Sequence, residues 1–307
     1  MKPRKAEALW PEEVWEGIAE AVAEESRRIK VAARFLPRYR AMAEARTVPS
    51  ERIRQSAEGL IIDEAPVTPL QEIWVELTLT RQQVAREAEL ATARTLARRA
   101  ANTLAQAEDS MIFQGTAAFE AAAFFREGRA LQRSGPAMAG LLNLIEPVDV
   151  PAEPIEIPAL GPEVFADVPT LDPETPRFGA LTFEAVSKAY VRLQENEHHG
   201  PYALVLPPGP FADTQAALPQ TLLRPAERIR NLLRSDIHAT SHLPPLSGVL
   251  VSVGGSALEL VVGREPEAVF MFEDAEGKFH FRVWERFALR IKDETAIVRL
   301  DFKTQED

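Results

Sequence analysis

Two adjacent carboxylates, Glu108 and Asp109, are the first side chains in this sequence whose types could do chemistry. A pair of acidic groups can serve as general acid and base when both reach the reacting atoms. The pair lies near the end of a run without glycine or proline from Leu70 to Gln114, which favours a helix. Neighbouring side chains on a helix diverge by about 100°. The pair therefore suits a salt bridge or a helix contact better than catalysis.

The histidines are candidate metal ligands. His198 and His199 are adjacent, so their rings point in different directions on a strand or a helix, and a role in a turn is favoured. His238 and His242 have the spacing of two ligands on one helical face, but the Leu-Pro-Pro sequence at 243–245 favours a loop. We therefore expect no metal site.

Serine, glycine and cysteine give no catalytic pattern either. Ser252 and Ser256 have no partner arrangement for nucleophilic catalysis, and the glycines at 254–255 lack the spacing of a phosphate-binding loop. The chain has no cysteine, which excludes disulfides, thiol catalysis and thiolate metal sites. The sequence thus predicts a protein that is not an enzyme.

The composition is that of a soluble globular protein with one large or two medium domains: 307 residues, 46% hydrophobic and 26% charged. The net charge of −11 argues against a surface that coats nucleic acid. No apolar run reaches the length of a membrane helix. The basic N-terminus is not followed by the apolar core of a secretory signal, so we expect a cytoplasmic protein.

The element that must position Glu108 and Asp109 is a long helix. Thr80 and Gln83 form a capping-box pattern at its start. Apolar residues then recur at alternating steps of three and four, which places them on one helical face; they are Leu90, Ala93, Ala97, Ala100, Leu104, Ala107 and Met111. Because most of them are alanine, we expect this spine helix to pack closely against a sheet.

The rest of the chain predicts a mixture of helices and strands. The predicted elements are an amphipathic helix over 11–34, a strand at 73–79, a helix after 116, a proline-rich extended crossover over 146–178, a helix from Thr182 to Leu193, a strand at 202–206, a helix over 225–233, and strands at 249–253, 258–262, 268–273, 278–292 and 296–302. This order predicts an α+β protein.

Four stretches carry a resemblance to a known family. They are Glu-Asp-x-x-Ile-Phe-x-Gly at 108–115, His-Gly-Pro-Tyr-Ala-Leu-Val-Leu at 199–206, the strand pair 248–252 and 258–263, and the closing strands 281–298. Taken in this order, the chain resembles the shell proteins of encapsulins (family 1, linocin-like), bacterial nanocompartments with the Hong Kong 97-type phage-capsid fold.

The resemblance implies a division of the chain into segments. They are an N-terminal arm and helix (1–46), an extended loop or E-loop (47–80), the first part of a core P-domain with the spine helix (81–145), an outer A-domain with a proline-rich insertion (146–264), and the closing P-domain strands (265–307). The E-loop is implied to lie across a neighbouring subunit. It is shorter here than in many encapsulins.

The same resemblance implies an icosahedral homo-oligomer of 60 or more copies that encloses a cargo enzyme, ferritin-like or a dye-decolourising peroxidase. The cargo is held by its C-terminal peptide in a groove for which the candidates are Trp15, Ile18, Val22, Ile29 and Leu300. The candidate rim of the five-fold pore is Thr214, Gln215 and Gln220. A pore of this uncharged polar character is expected to pass small ions without strong selection.

Two alternatives remain open. Trp74 and Trp284 could stack on a flavin, as in a subset of encapsulins, but Arg-Gln-Gln at 81–83 stands where that subset has an aromatic residue, so we expect no cofactor. A major capsid protein of a tailed phage or prophage shares the fold and would package DNA. Neither the encapsulin nor the phage-capsid interpretation involves a membrane.

Overall fold

The computed structural model describes residues 9–56, 59–64, 66–121, 131–143, 155–158, 178–217 and 223–303. The helices are α1 (Glu12–Ile29), α2 (Arg81–Ala85), α3 (Glu87–Leu90), α4 (Thr92–Gln114), α5 (Thr116–Ala121), α6 (Gly179–Glu195), α7 (Pro208–Gln215) and α8 (Pro225–Leu233), with short 3-10 turns at Ala32–Arg34 and Glu294–Ala296.

The strands are β1 (Arg38–Arg40), β2 (Thr47–Pro49), β3 (Arg52–Ser56), β4 (Gly59–Asp63), β5 (Val67–Pro69), β6 (Gln71–Thr80), β7 (Leu131–Ser134), β8 (Ile155–Pro158), β9 (Tyr202–Leu206), β10 (Ile237–Ala239), β11 (Ser247–Ser252), β12 (Leu258–Glu273), β13 (Lys278–Ile291) and β14 (Ile297–Lys303). A first sheet has the order β1-β12-β13-β6-β7, and a second has the order β10-β9-β11-β14-β8. The pairs β2–β5 and β3–β4 form separate two-stranded ribbons.

The predicted capping box is confirmed, whereas the single long spine helix is wrong. The side chain of Thr80 accepts from the backbone of Gln83, and the side chain of Gln83 accepts in return. The helix is then interrupted at Ala91, which has a left-handed φ of 48°. The buried carboxylate of Glu87 accepts from the backbone N–H groups of Ala93 (2.7 Å) and Arg94 (3.0 Å), so it caps α4 and stabilises the break.

The alanine face of the spine helix is confirmed except at its first member. Leu90 precedes the break and is 49% exposed, while the other six predicted positions are buried. This face of α4 packs against α1 and against β6 and β13 of the first sheet. Alanines let these elements approach closely, as the sequence predicted. Strand β6 also alternates as predicted, with Ile73, Val75 and Leu79 buried.

The second sheet is buried on both faces. In β9, Ala203 and Val205 join the larger core around α1, α4 and the first sheet. Leu204 and Leu206 join a smaller core with α6 and α8. Both strands at the centre of this sheet, β9 and β11, are therefore buried throughout, as their nearly continuous apolar sequences require.

Helix α6 begins at Gly179, earlier than the predicted start at Thr182. The cause is a cap from another element, because the carboxylate of Asp213 accepts from the backbone N–H groups of Phe178 (2.7 Å) and Gly179 (2.5 Å). Thr182 is instead buried inside the helix. A local pattern cannot reveal a cap that is supplied from 34 residues away.

The closing strands are divided between the two sheets. The two predicted strands at 258–262 and 268–273 are one strand, β12, whose pairing with β13 is irregular between Arg264 and Glu267. The predicted domain boundary at 264/265 falls inside it. Strand β14 pairs with β11 in the second sheet, so segment 265–307 does not belong to the core sheet alone. The predicted division into domains stays a prediction.

The proline-rich crossover falls largely outside the described residues. Its described part, Ile155–Pro158, is extended and pairs with β14 in parallel, which agrees with the predicted extended conformation. The predicted helix after 116 is present as α5 (Thr116–Ala121). Among the described residues, no helix is long and apolar enough to span a membrane.

Candidate functional site: a cavity beside the N-terminal helix

A cavity of about 300 Å³ opens between the C-terminal half of α1 and the first sheet. Its apolar floor comes from β12 and β13, through Leu260, Val262 and Phe287. The other lining residues are Ala23, Ser26, Arg27, Lys30, Ala33, Arg34, Arg38, Glu108, Arg264, Glu265, Pro266 and Glu285. Its volume lies at the lower end of the range of ligand-binding pockets.

An ion triad forms the deep wall of the cavity. Lys30 Nζ donates to Glu108 Oε2 and to Glu285 Oε2, each at 2.5 Å. The three residues come from the end of α1, from α4 and from β13, so the triad joins these three elements. All three are buried. The other carboxylate oxygens, Glu108 Oε1 and Glu285 Oε1, are buried without a hydrogen-bond partner in the described part of the chain.

Burial and like charge alter the acid–base behaviour of the triad. Loss of hydration, together with the neighbouring charge of Glu108, raises the pKa of Glu285 to about 8 against the opposing effect of Lys30. Burial alone would lower the pKa of Lys30, but the two carboxylates outweigh it and raise that pKa. At neutral pH, Glu285 is thus mainly protonated and Lys30 is charged.

We expect the free energy of unfolding to fall as the pH rises from about 4.5 to about 8. Within this window the folded state keeps a proton on Glu285 that the unfolded state releases, so a rising pH favours unfolding. The slope from one full proton is about 1.4 kcal/mol per pH unit. Thermal unfolding between pH 5 and pH 8 should show this decline, and Glu285→Gln should make it less steep. The control Glu76→Gln, at an exposed position of β6, should leave the slope unchanged. An equal slope in the original protein and in both variants would contradict the raised pKa of Glu285.

Asp109 fixes the chain where it leaves α1. Its two carboxylate oxygens accept from the backbone N–H groups of Val31 (2.8 Å) and Ala32 (3.0 Å). Burial raises the pKa of Asp109 to about 7, against the lowering effect of these two hydrogen bonds. The prediction that Glu108 and Asp109 make a salt bridge or a helix contact is confirmed.

Basic side chains surround the mouth of the cavity. The lining contains five basic and three acidic residues. Arg38 pairs with Glu265 at 2.5 Å, and Arg264 pairs with Glu267 at 2.9 Å. Arg27 and Arg34 have no carboxylate within salt-bridge distance among the described residues. The net charge at the mouth of the cavity is therefore positive.

The predicted groove residues lie on a different side of α1 from the cavity. Ile18 and Val22 are buried in the larger core, Trp15 and Ile29 are half-buried, and Leu300 is buried in the smaller core. Trp15 packs against the rings of Trp10 and Phe281. None of the five predicted residues lines the cavity, and Leu300 is not brought together with the others.

Sequence reasoning missed the side of α1 that faces the cavity. That side carries Ala23, Ser26, Arg27 and Lys30. One signal in the sequence is the pair of small residues, Ala23 and Ser26, which Lys30 follows at helical spacing. The acidic pair of the spine helix is a candidate partner for this lysine. The apolar stripe of α1 instead indicated a different side of the helix, which packs into the core.

The predicted pore residues are partly outside the described structure. Thr214 is buried near the end of α7, where its hydroxyl donates to the carbonyl of Phe211 at 2.7 Å. Gln215 is half-buried at the end of the same helix. Gln220 lies outside the described residues. The pore rim therefore stays a prediction for Thr214, Gln215 and Gln220.

The predicted positions of the histidines agree with the structure except for His238, which lies in strand β10 rather than in a loop. His198 and His199 follow α6 in a turn, and His242 lies in a loop after β10. The described residues contain no group of three or more His, Asp or Glu side chains that could hold a metal ion. Trp74 and Trp284 are cross-strand partners on β6 and β13, and the guanidinium of Arg282 lies 4.8 Å from the centre of the Trp284 ring.

A second candidate surface is the ribbon β3–β4, which projects within the E-loop. Three successive apolar residues of β4 are exposed: Leu60 (78%), Ile61 (46%) and Ile62 (61%). Such an apolar patch on a projecting ribbon is typical of an interaction site.

The base of the ribbon is held by a network around Arg290, which is 1% exposed. Its Nη1 donates to the carbonyl of Pro49 at 3.1 Å, and its guanidinium pairs with Glu259 and with Glu51. Lys292 Nζ pairs with the same two carboxylates, at 2.6 Å to Glu51 and 3.0 Å to Glu259. The pKa of Glu51 is lowered, chiefly by its hydrogen bond to Lys292. The network thus sets the direction in which the ribbon leaves the body.

Together, the spine helix, the two sheets and the projecting loop define a shell protein of the phage-capsid type. Solved structures with the same fold include a virus-like particle from Pyrococcus furiosus (TM-score 0.64, 16% identity, 94% of this chain and 100% of that chain). The capsid of Myoviridae phage XM1 is also similar (TM-score 0.59, 11% identity, 90% and 92%). A third is the SrpI encapsulin from Synechococcus elongatus PCC 7942 (TM-score 0.53, 10% identity, 90% and 88%).

The chain belongs to the encapsulin family described as "Encapsulating protein for peroxidase", which matches residues 4–132 and 173–288. A curated relative, the type 1 encapsulin shell protein EncA of Myxococcus xanthus, is 34% identical over 120 residues. That match spans 39% of this chain and 41% of the relative. The family and the fold predicted from the sequence are thereby confirmed.

Proposed function

We propose that this protein assembles into a closed icosahedral shell of 60 or more copies, an encapsulin nanocompartment, which encloses a protein cargo. The observation that carries the proposal is the projecting apolar ribbon β3–β4 with its fixed base. A two-stranded ribbon is barely stable alone, and exposed Leu60, Ile61 and Ile62 would favour burial against another surface. A second copy supplies that surface when symmetry closes the assembly.

The cargo would be an enzyme held at the inner surface by its C-terminal peptide, and the family description favours a peroxidase over a ferritin-like protein. The cavity beside α1 is the best candidate for the peptide site, because it combines an apolar floor with a small number of polar groups. Trp15 and Ile29 are half-buried on a different side of the same helix and stay a separate prediction for the groove. Ile18 and Val22 would support that helix from the core.

Replacing Leu60 and Ile62 together by Asp is expected to prevent shell formation while leaving the protomer folded. Charges at two exposed positions cost little in the isolated chain, but burying them without partners at an interface costs several kcal/mol each, on the order of the penalty for an unpaired ion. Negative-stain electron microscopy and light scattering would measure assembly, and circular dichroism would measure folding. The matched control is Leu90→Asp, on α3, where the leucine is 49% exposed. Shells of normal size from the double variant would refute the role of the ribbon.

Packaging of DNA, as in a phage capsid, is the second candidate, since the phage XM1 capsid has the same fold. The ratio of absorbance at 260 and 280 nm of purified shells separates the two. A protein-like ratio supports the nanocompartment, and a ratio dominated by nucleic acid supports the capsid.

A further inference from the structure

We propose that the cavity beside α1 selects a peptide that carries a carboxylate, which lies between Arg27 and Arg34 at the mouth. The proposal rests on the proposed function, because it assigns the chemistry of the cargo segment that would occupy this site. It follows from three features of the cavity: the free cations at the mouth, the unpaired polar atoms in the deep wall and the apolar floor between them.

The cations at the mouth are held in place without being neutralised. Arg27 Nε donates to the carbonyl of Ala23 at 3.3 Å, and Arg34 Nη2 donates to the carbonyl of Arg28 at 2.8 Å. Each contact uses one N–H group of a guanidinium that has five. The remaining donors are available, and a carboxylate is the group that a guanidinium fork binds best. Arg38 and Arg264 already have acidic partners and add no free charge.

The deep wall has buried polar atoms that lack partners. Glu108 Oε1 and Glu285 Oε1 have none among the described residues, and neither has the buried hydroxyl of Ser26. Glu108 accepts hydrogen bonds, whereas the protonated carboxyl of Glu285 and the hydroxyl of Ser26 can also donate. Buried polar atoms without partners are costly and are normally satisfied by a ligand or by water. The backbone N–H and C=O groups of a peptide supply both donors and acceptors, whereas inorganic phosphate or sulfate would bring a second anion against Glu108. The combination of both chemistries favours a peptide over a small anion.

The floor accommodates the apolar part of the peptide. Leu260, Val262 and Phe287 form it, with Ala23 and Ala33 at the sides. A basic peptide would meet Arg27 and Arg34 at the mouth before it reached the glutamates, so like charges disfavour its entry. The occupant is therefore an apolar segment with an acidic residue, or with the free carboxylate of its own C-terminus.

The experiment uses the full-length shell protein co-expressed with a fluorescent protein that carries a C-terminal tail. A set of eight-residue tails of Leu, Ile, Ala, Gly and Ser is made in three versions, with Asp, Asn or Lys at one internal position. Each version is also made with a Gly-Ser-Gly extension that moves the terminal carboxylate away from the apolar residues. Fluorescence per purified shell measures loading. An arginine–carboxylate contact should favour the Asp tails over the Asn tails by about tenfold, with the Lys tails lowest.

The charge preference should disappear in the double variant Arg27→Gln, Arg34→Gln. It should persist in the matched control Arg81→Gln, whose arginine is 77% exposed at the first turn of α2. A loss of loading on the extension alone would assign the carboxylate to the C-terminus, and retention would assign it to the acidic side chain; both outcomes support the proposal. Equal loading of Asp and Asn tails that is also unchanged by the extension would overturn it while leaving the cargo function intact. Intact shells that load no tail would count against the cargo function itself.

Discussion

Replacing Lys30 by Met is expected to lower the free energy of unfolding by about 3–5 kcal/mol, the cost of removing one partner from a buried ion pair. Lys30 is the cation that the buried carboxylates of Glu108 and Glu285 share, at 2.5 Å from each. Methionine has nearly the same length, so the change tests charge rather than packing. Chemical unfolding followed by tryptophan fluorescence would measure the effect, with all variants compared at one protein concentration because assembly contributes to stability.

A second variant distinguishes the lost charge from the lost side chain. Adding Glu108→Gln and Glu285→Gln to Lys30→Met removes the unpaired charges and should restore more than half of the lost stability. The exposed pair Lys188–Glu184 on α6 offers a matched control, and Lys188→Met should cost less than about 1 kcal/mol. If Lys30→Met lowered the free energy of unfolding no more than Lys188→Met, the triad would have to be accessible to water.

Replacing Arg290 by Met is expected to cost about 3 kcal/mol and to disturb the assembly of shells as well. The arginine connects β13 to Pro49 and Glu51, the residues from which the ribbon departs. Without it, Glu259 and Glu51 keep Lys292 as their cation, so the body of the protein should still fold. The ribbon, however, should leave the body at a variable angle. Electron microscopy should then show particles of mixed size or open fragments.

The control for this prediction is an exposed arginine with a similar ion pair. Arg81 pairs with Glu273 at 2.8 Å, and its side chain is 77% exposed. Arg81→Met should change stability by less than about 1 kcal/mol and leave the particles uniform. Uniform shells from Arg290→Met, in spite of a measured loss of stability, would show that the ribbon angle is set elsewhere.

Much of the fold was predictable because it depends on local patterns. The cap at Thr80, the alanine face of α4 and the alternation of β6 are periodic or short-range features, and the structure confirms them. The break at Ala91 was missed because no glycine or proline marks it. It depends on the carboxylate of Glu87, whose role as a cap becomes clear only in three dimensions.

The candidate site was predictable only in part. The sequence indicated that Glu108 and Asp109 make structural contacts, but not with which residues. Their partners, Lys30 and the backbone of Val31 and Ala32, lie more than 70 residues earlier in the chain. The apolar stripe of α1 directed attention to Ile18 and Val22, which the core occupies.

The family and the longer helices and strands were predictable from the amino-acid sequence, because motifs and periodicities are properties of neighbouring residues. The tertiary structure alone decided which side of α1 faces a cavity, that Lys30, Glu108 and Glu285 meet there, and that β14 leaves the first sheet for the second. These outcomes depend on contacts between distant segments. Burial then determines how much each contact contributes to stability, because a charge removed from water is costly unless it is paired within the fold.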